Sequence, residues 1–303
     1  MKKITTFFQL IRVRHWIKNL FIFAPLIFAL YLFDYSKLTR TIVAFISFSF
    51  ISVLIYILND IKDKKSDAMH DVKRLRPIAS NLVKPYTALI IGIVFFIIGI
   101  ILACYLGIKP LSIMLIYVVI NILYSFIFKN FVIVDVFFIS IGFCLRVLLG
   151  SIVINVVLSH WMLITTFTIS LIIGFGKRRH ELELLGKNAG HHRNNLNEYN
   201  KTFLDMLIII STSITAIGYT LYTINTDIIN KFGTAGLIFT IPFVYYGLFR
   251  YLLLIYCKGK GGSPEELVVT DPGIIIAVIL WFIVILLQIY FKDLIQLNFN
   301  FIN

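Results

Sequence analysis

The chain has only three cysteines, Cys104, Cys144 and Cys257, each set inside an apolar run and none near another. An odd, scattered set excludes a disulfide framework and a cysteine-based metal cluster. Acids are scarce too: 15 Asp and Glu stand against 28 Lys and Arg, for a net charge of +13. No internal repeat recurs, and no low-complexity stretch marks off a separate domain. The basic N-terminus, MKKITTFFQLIRVRHWIKNL, lacks a small-residue cleavage site. It reads as a retained interfacial segment feeding the first apolar run, with His15 and Trp16 as interface anchors.

Apolar sequence is what the chain has in excess. Of its 303 residues 59% are hydrophobic, and the mean hydropathy is +0.91. A soluble domain of this size needs no such share, whereas a polytopic membrane protein does. A transmembrane helix takes roughly 20 apolar residues. Nine runs qualify, near 19–33, 41–58, 86–107, 111–128, 131–154, 161–176, 204–224, 234–257 and 273–291. Only Lys129-Asn130 parts the fourth from the fifth, which makes them antiparallel neighbours. The expected fold is all-α: a single membrane domain over 1–303, built as a nine-helix bundle.

The basic residues orient it. With the N-terminus cytoplasmic, the N-terminal segment and the loops 59–85, 129–130, 177–203 and 258–272 hold 21 of the 28 Lys and Arg. The opposite side holds Lys37, Arg40, Lys109, Lys231 and Lys292. This asymmetry predicts a multi-pass protein of a bacterial-type cell membrane with its chemistry on the cytoplasmic side. The net positive charge then reflects loops facing anionic lipid, not a nucleic-acid partner.

One polar stretch interrupts the apolar pattern: NDIKDKKSDAMHDVKRLRP, Asn59 to Pro77. Asp60, Asp63, Asp67 and Asp71 are spaced 3, 4 and 4, which on a helix places them within an arc of about 80°, with Asn59 at its edge. The stripe runs straight out of the second span, and Pro77 limits its length. Like charges one turn apart repel, so the pattern calls for a counter-cation. Hard oxygen ligands suit Mg²⁺, completed by substrate phosphate oxygens. Asp60, Asp63 and Asp67 are the candidate metal and catalytic carboxylates. A solvated, charge-mixed loop is the plain alternative, because Lys62, Lys64, Lys65 and Lys73 are interspersed; most of these lie off the acidic stripe.

The segment Asn59-Asp60-Ile61-Lys62-Asp63-Lys64-Lys65-Ser66-Asp67 resembles the first aspartate motif, N-D-x-x-D-x-x-x-D, of the UbiA superfamily of intramembrane prenyltransferases. Arg76-Pro77 matches its R-P element. The resemblance implies nine transmembrane helices around a cytoplasm-facing cavity, and Mg²⁺ as cofactor. Most members carry a second D-x-x-x-D after the sixth span. This chain has GKRRHELELLG there, Gly176 to Gly186. Lys177, Arg178 and Glu181 lie one turn apart, and such a set suits an anionic group better than a second metal.

That departure resembles the decaprenyl-phosphate phosphoribosyltransferase branch of the superfamily. Further segments carry the likeness: Tyr124, Ser125, Lys129 and Asp135; Gly142, Phe143, Leu145, Arg146 and Gly150; Gly176, Lys177, Arg178 and Glu181; Leu196, Tyr199 and Leu204; and SPEELVVTD, Ser263 to Asp271. The branch transfers phosphoribose from phosphoribosyl pyrophosphate (PRPP) to a polyprenyl phosphate, which would be this chain's substrate pair beside its membrane lipids. Lys73, Arg74, Arg76, Lys177 and Arg178 are the cations available for the phosphates, with Glu181 orienting one of them or contacting the metal. Asn59, Tyr124, Lys129 and Tyr199 join the candidate substrate-facing set. The loops 59–85, 177–203 and 258–272 are expected to cap the site.

Charges within spans are functional candidates by default. Asp135 and Arg146 share a helix face but lie roughly 16 Å apart at 1.5 Å per residue, too far to pair. Asp135 suits a metal or ribose contact. Arg146 and Arg250 either hold phosphate or make structural pairs. His191-His192 reads as a solvated loop. Two rival functions are a conventional prenyl transfer from a diphosphate, which the missing second acidic motif disfavours, and transport. Transporters show paired interrupted helices at the midplane, whereas the acids here gather at one rim.

Overall fold

Helix α3 begins where Asp34 accepts a hydrogen bond from the Lys37 amide, and it then runs unbroken from Tyr35 to Lys62. It is the axis of the first of two compact units, residues 1–158 and 159–303. The computed structural model describes residues 2–69, 73–185, 198–259, 267 and 270–291. Asp71, His191, His192, Leu196 and most of the 263–271 motif lie outside the described residues.

The first unit contains α1 (Lys2–Leu10), a 3-10 segment (Val13–Phe23), α2 (Ala24–Phe28), α3, α4 (Lys64–Ala68), α5 (Pro85–Leu106), α6 (Ile108–Phe126) and α7 (Val134–Val153). Spans α3 and α7 are more than half buried, whereas α5 and α6 expose most of their surface. Composition explains the difference. α5 is apolar all round, as a lipid-facing helix is. α3 and α7 carry serines whose hydroxyls donate within the protein: Ser47 to the Gly99 carbonyl at 2.7 Å, and Ser52 and Ser140 to carbonyls one turn back. Small and hydroxylic residues let membrane helices approach closely. The core of the unit is Phe48, Ile51, Met114, Tyr117 and Leu149 with Ile22 and Leu26 from the N-terminal segment.

The second unit contains α8 (His160–Leu185), α9 (Lys201–Ile224), α10 (Thr226–Phe232), a 3-10 turn (Gly236–Thr240), α11 (Ile241–Tyr256) and α12 (Pro272–Tyr290). α8 packs on α9 and α11 on α12. Tyr219 of α9 ties these together: its hydroxyl meets Thr240 Oγ1 at 2.7 Å and accepts from Trp281 Nε1 at 2.8 Å. Asn200 and Asp271 cap α9 and α12, and Pro272 occupies the first turn where no amide partner is needed.

No strand occurs among the described residues. Seven helices there are long and apolar enough to cross a membrane. Two of the nine expected spans are not among them. The stretch read as the span 19–33 is a 3-10 segment that hands over to the short α2, because Pro25 has no amide to donate and so starts a helix rather than continuing one. The stretch 161–176 lies within α8, whose polar end continues to Leu185.

Candidate active site

Asp60, Asp63 and Asp67 do not form one stripe. α3 stops at Lys62, Asp63 takes φ −89° and ψ 7°, and α4 restarts at Lys64. The hitch divides the carboxylates. Asp60 and Asp67 are buried, at 5% and 4% exposure. Both accept from Arg76 Nη1, at 3.0 and 2.5 Å. Asp63 turns instead to Lys129, whose Nζ donates to Oδ1 at 2.8 Å. Repulsion between acids one turn apart is thus relieved by partition onto two cations. Burial pushes the Asp67 carboxyl above its ordinary range, and Arg76 and Lys73 pull in the opposite direction.

Sequence reasoning missed a second guanidinium. Arg12 donates from Nε to Asp60 Oδ2 at 3.2 Å and from Nη2 to Oδ1, and it lies 5.1 Å over the Tyr56 ring. It does so from a left-handed backbone, φ 52° and ψ 46°, at the joint between α1 and the 3-10 segment. Farther along that segment His15 packs on Tyr56 and Trp16 on Phe50. Asn19 is buried, donating to Ser49 Oγ at 2.9 Å and accepting from Arg146 Nε at 2.8 Å. The signal was available: polar residues at 12, 15, 16 and 19 share one helical face of a segment otherwise read as an anchor.

Arg146 is drawn into the core of the first unit. Besides Asn19 it donates to the Gly142 carbonyl at 2.6 Å and the Tyr117 hydroxyl at 3.2 Å, among the rings of Phe48, Tyr117 and Phe143. Asp135 is buried in the first turn of α7, two residues after Ile133, a β-branched residue held at φ 67°. Such a conformation is costly and persists only where its surroundings impose it. Asn59 lines a shallow groove with Lys62, Asn121 and Ser125. Tyr124 is half-buried near the end of α6, Lys73 is half-buried beside the aspartates, and Arg74 is exposed.

In the second unit Arg178 is 1% exposed and pairs with Glu181, one turn ahead on α8; Lys177 is half-buried beside them. Arg179, not singled out from the sequence, is the hub of its own network. It donates to Asp205 at 2.6 Å and Glu183 at 3.1 Å, and it covers the Tyr256 ring at 4.7 Å. Arg250 makes a two-point pair with Asp271, both bonds 3.0 Å. Those bonds hold the Asp271 carboxyl below its ordinary range. Tyr199 is buried ahead of α9 with its ring stacked on Phe203.

Among the described residues no three His, Cys, Asp or Glu converge closely enough to hold a metal by themselves. Asp60 and Asp67 nonetheless fit a divalent cation. They are two hard, buried carboxylates already brought to one cation. Mg²⁺ commonly takes one or two carboxylates and completes its shell with water and substrate phosphate.

A family model for the UbiA prenyltransferase family matches residues 20–261. The chain belongs to the UbiA prenyltransferase family. Membership makes it a membrane-bound transferase. Over almost its whole length the UbiA chain is similar to two curated relatives, both named decaprenyl-phosphate phosphoribosyltransferase. The one from Mycolicibacterium smegmatis is 28% identical over 293 residues, covering 93% of this chain and 92% of the relative. The one from Corynebacterium glutamicum is 28% identical over 294 residues, covering 92% and 85%. The fold is similar to a UbiA homolog from Archaeoglobus fulgidus bound to GPP and Mg²⁺, with a TM-score of 0.71, 18% identity, and coverage of 94% of this chain and 99% of that one.

Proposed function

We propose that this UbiA-family transferase moves 5-phosphoribose from PRPP to a polyprenyl phosphate of the decaprenyl or undecaprenyl type, releasing pyrophosphate, on the cytoplasmic side of the membrane. The observation that carries the reading is the paired Arg178 and Glu181 beside Lys177 where most of the superfamily has a second acidic motif. The whole-length likeness to relatives named phosphoribosyltransferases supports it.

The chemistry requires little of the protein beyond placement and charge. A phosphate oxygen of the lipid forms a bond to the anomeric carbon, and the bond to pyrophosphate breaks with the electron pair leaving on it. The lipid phosphate is already ionised, so no strong general base is needed. Asp60 and Asp67 would hold Mg²⁺, which when bound neutralises the leaving diphosphate. Arg76, fixed by both carboxylates, presents the remaining face of its guanidinium to the same anion. Asp63 keeps Lys129 at the turn before α7, whose first turn carries Asp135. Lys177 and Arg178 supply charge for a phosphate monoester, with Glu181 holding the Arg178 fork in one orientation. Stabilisation of charge that develops at the leaving group is the largest expected contribution to rate.

A second reading, transfer of a prenyl chain from its diphosphate to a small or aromatic acceptor, is favoured by the family's own name and by the solved relative bound to GPP and Mg²⁺. Purified protein incubated with Mg²⁺, labelled PRPP and undecaprenyl or decaprenyl phosphate separates the two. Label extracted into organic solvent, abolished by chelator, is the expected result. Inert PRPP would end the phosphoribosyl reading.

A further inference from the structure

The buried carboxylates already have counter-cations of the chain's own. Arg12 holds Asp60 through both of its oxygens, and Arg76 bridges Asp60 to Asp67. Two guanidiniums and two carboxylates make a neutral set. A divalent ion on Asp60 and Asp67 would leave that set with an excess of two positive charges at low dielectric, where repulsion is strong. Either a guanidinium leaves or an anion arrives.

The two arginines are not equally free to leave. Arg76 is tied to both carboxylates. Among the described residues Arg12 pairs with Asp60 and not with Asp67, and it sits at the left-handed joint between α1 and the 3-10 segment. A non-glycine residue in that conformation stores strain that a backbone shift would release. The planar fork that matches a carboxylate at two points matches a phosphate equally well.

We propose that Arg12 is a built-in counter-cation of Asp60, displaced by the divalent metal and then taken up by the donor's diphosphate. The proposal rests on the reading that Asp60 and Asp67 hold that metal. It makes metal and diphosphate binding mutually reinforcing. The metal frees a guanidinium that needs an anion, the anion removes the guanidinium's competition for Asp60, and linkage makes the coupling reciprocal.

The consequence has a sign that a purely structural arginine would not produce. With purified full-length protein, free Mn²⁺ is counted by its electron paramagnetic resonance signal, first with Mn²⁺ alone and then with preformed Mn²⁺–pyrophosphate. Arg12→Gln should bind Mn²⁺ alone about tenfold more tightly than wild type and the pyrophosphate complex about tenfold more weakly, each equivalent to ~1.4 kcal/mol. Arg14→Gln, which removes an equal charge from an exposed site two residues on, should change neither. If Arg12→Gln loses its fold, Arg12→Lys keeps the charge but not the two-point geometry, and should move both affinities in the same two directions by a smaller factor. Affinities that move together, or stay unchanged while wild type binds Mn²⁺, overturn the exchange and leave the metal reading standing. A wild type that binds no Mn²⁺ in either form overturns both.

Discussion

A carboxylate buried as deeply as Asp60 or Asp67 remains an anion only beside a cation, and each has one in Arg76. Replacing either acid with the isosteric amide keeps the shape but removes the charge that would recruit a metal. Asp60→Asn and Asp67→Asn should each reduce turnover to about 1% or less, in line with loss of ~2.7 kcal/mol or more of electrostatic stabilisation. The folded chain should persist, but the rise in melting temperature caused by Mg²⁺ in wild type should vanish. Full activity in both variants at limiting Mg²⁺ would remove the metal from the mechanism. The adjacent arginines of α8 separate function from support. Arg178→Ala should raise the apparent Michaelis constant for one substrate about tenfold, because a bond to a charged group contributes ~1.5–3 kcal/mol. Arg179→Ala should instead reduce stability by ~3 kcal/mol, the low end for a broken buried pair because Asp205 and Glu183 reach solvent. Thermal melts and Michaelis constants measured on the same two preparations check both.

Helix geometry decides which of these residues meet. The 3-10 segment passes so close to α7 that a Cβ added at Gly150 would lie 2.1 Å from the Ile22 carbonyl oxygen and 3.2 Å from Pro25. Backbone has to move to admit it. Gly150→Ala should therefore destabilise by ~1–3 kcal/mol, whereas Gly142→Ala, whose nearest neighbour would be Arg146 at 3.5 Å, should melt like wild type. Asp271 at the start of α12 gives a pH signature. Its hydrogen bonds with Arg250 lower its pKa from 3.8, so the folded state binds the proton less readily than the unfolded chain. The stabilisation is present above that ordinary value and is lost as pH falls through the lowered one. Arg250→Gln should lower the melting temperature at pH 6 and narrow the gap between pH 6 and pH 3; an unchanged gap would deny the pair that role. The pairing of Arg250 with Asp271 was open in the sequence because the two are 21 residues apart and only the packing of α11 on α12 brings them together. The break at Asp63 was equally hidden: spacing of 3 and 4 describes an ideal helix, and nothing in KDKK announces a hitch. The long spans were legible because lipid-facing helices are apolar all round; the first expected span is not among the seven because it is divided, at Pro25, into a 3-10 segment and the short α2, neither as long as a span.

Across the molecule, charge and hydropathy carry most of what could be read from sequence. Seven spans, the cationic 177–181 element and the aspartate segment were all placed from composition and spacing. Arg12 and Arg179 were not, because each works through a partner far along the chain, 48 and 26 residues away respectively, and a lone arginine in a basic segment looks like an anchor. The two instruments, paired buried carboxylates in the first unit and paired cations in the second, define what the whole transferase is proposed to do, and a donor competition tests it most directly. Purified protein in vesicles with Mg²⁺ receives equimolar PRPP and polyprenyl diphosphate, labelled differently, together with polyprenyl phosphate and an aromatic acid as acceptors. The predicted result is a lipid product carrying only the phosphoribosyl label, formed with one pyrophosphate per turnover. A product carrying only the prenyl label on the aromatic acid would contradict it.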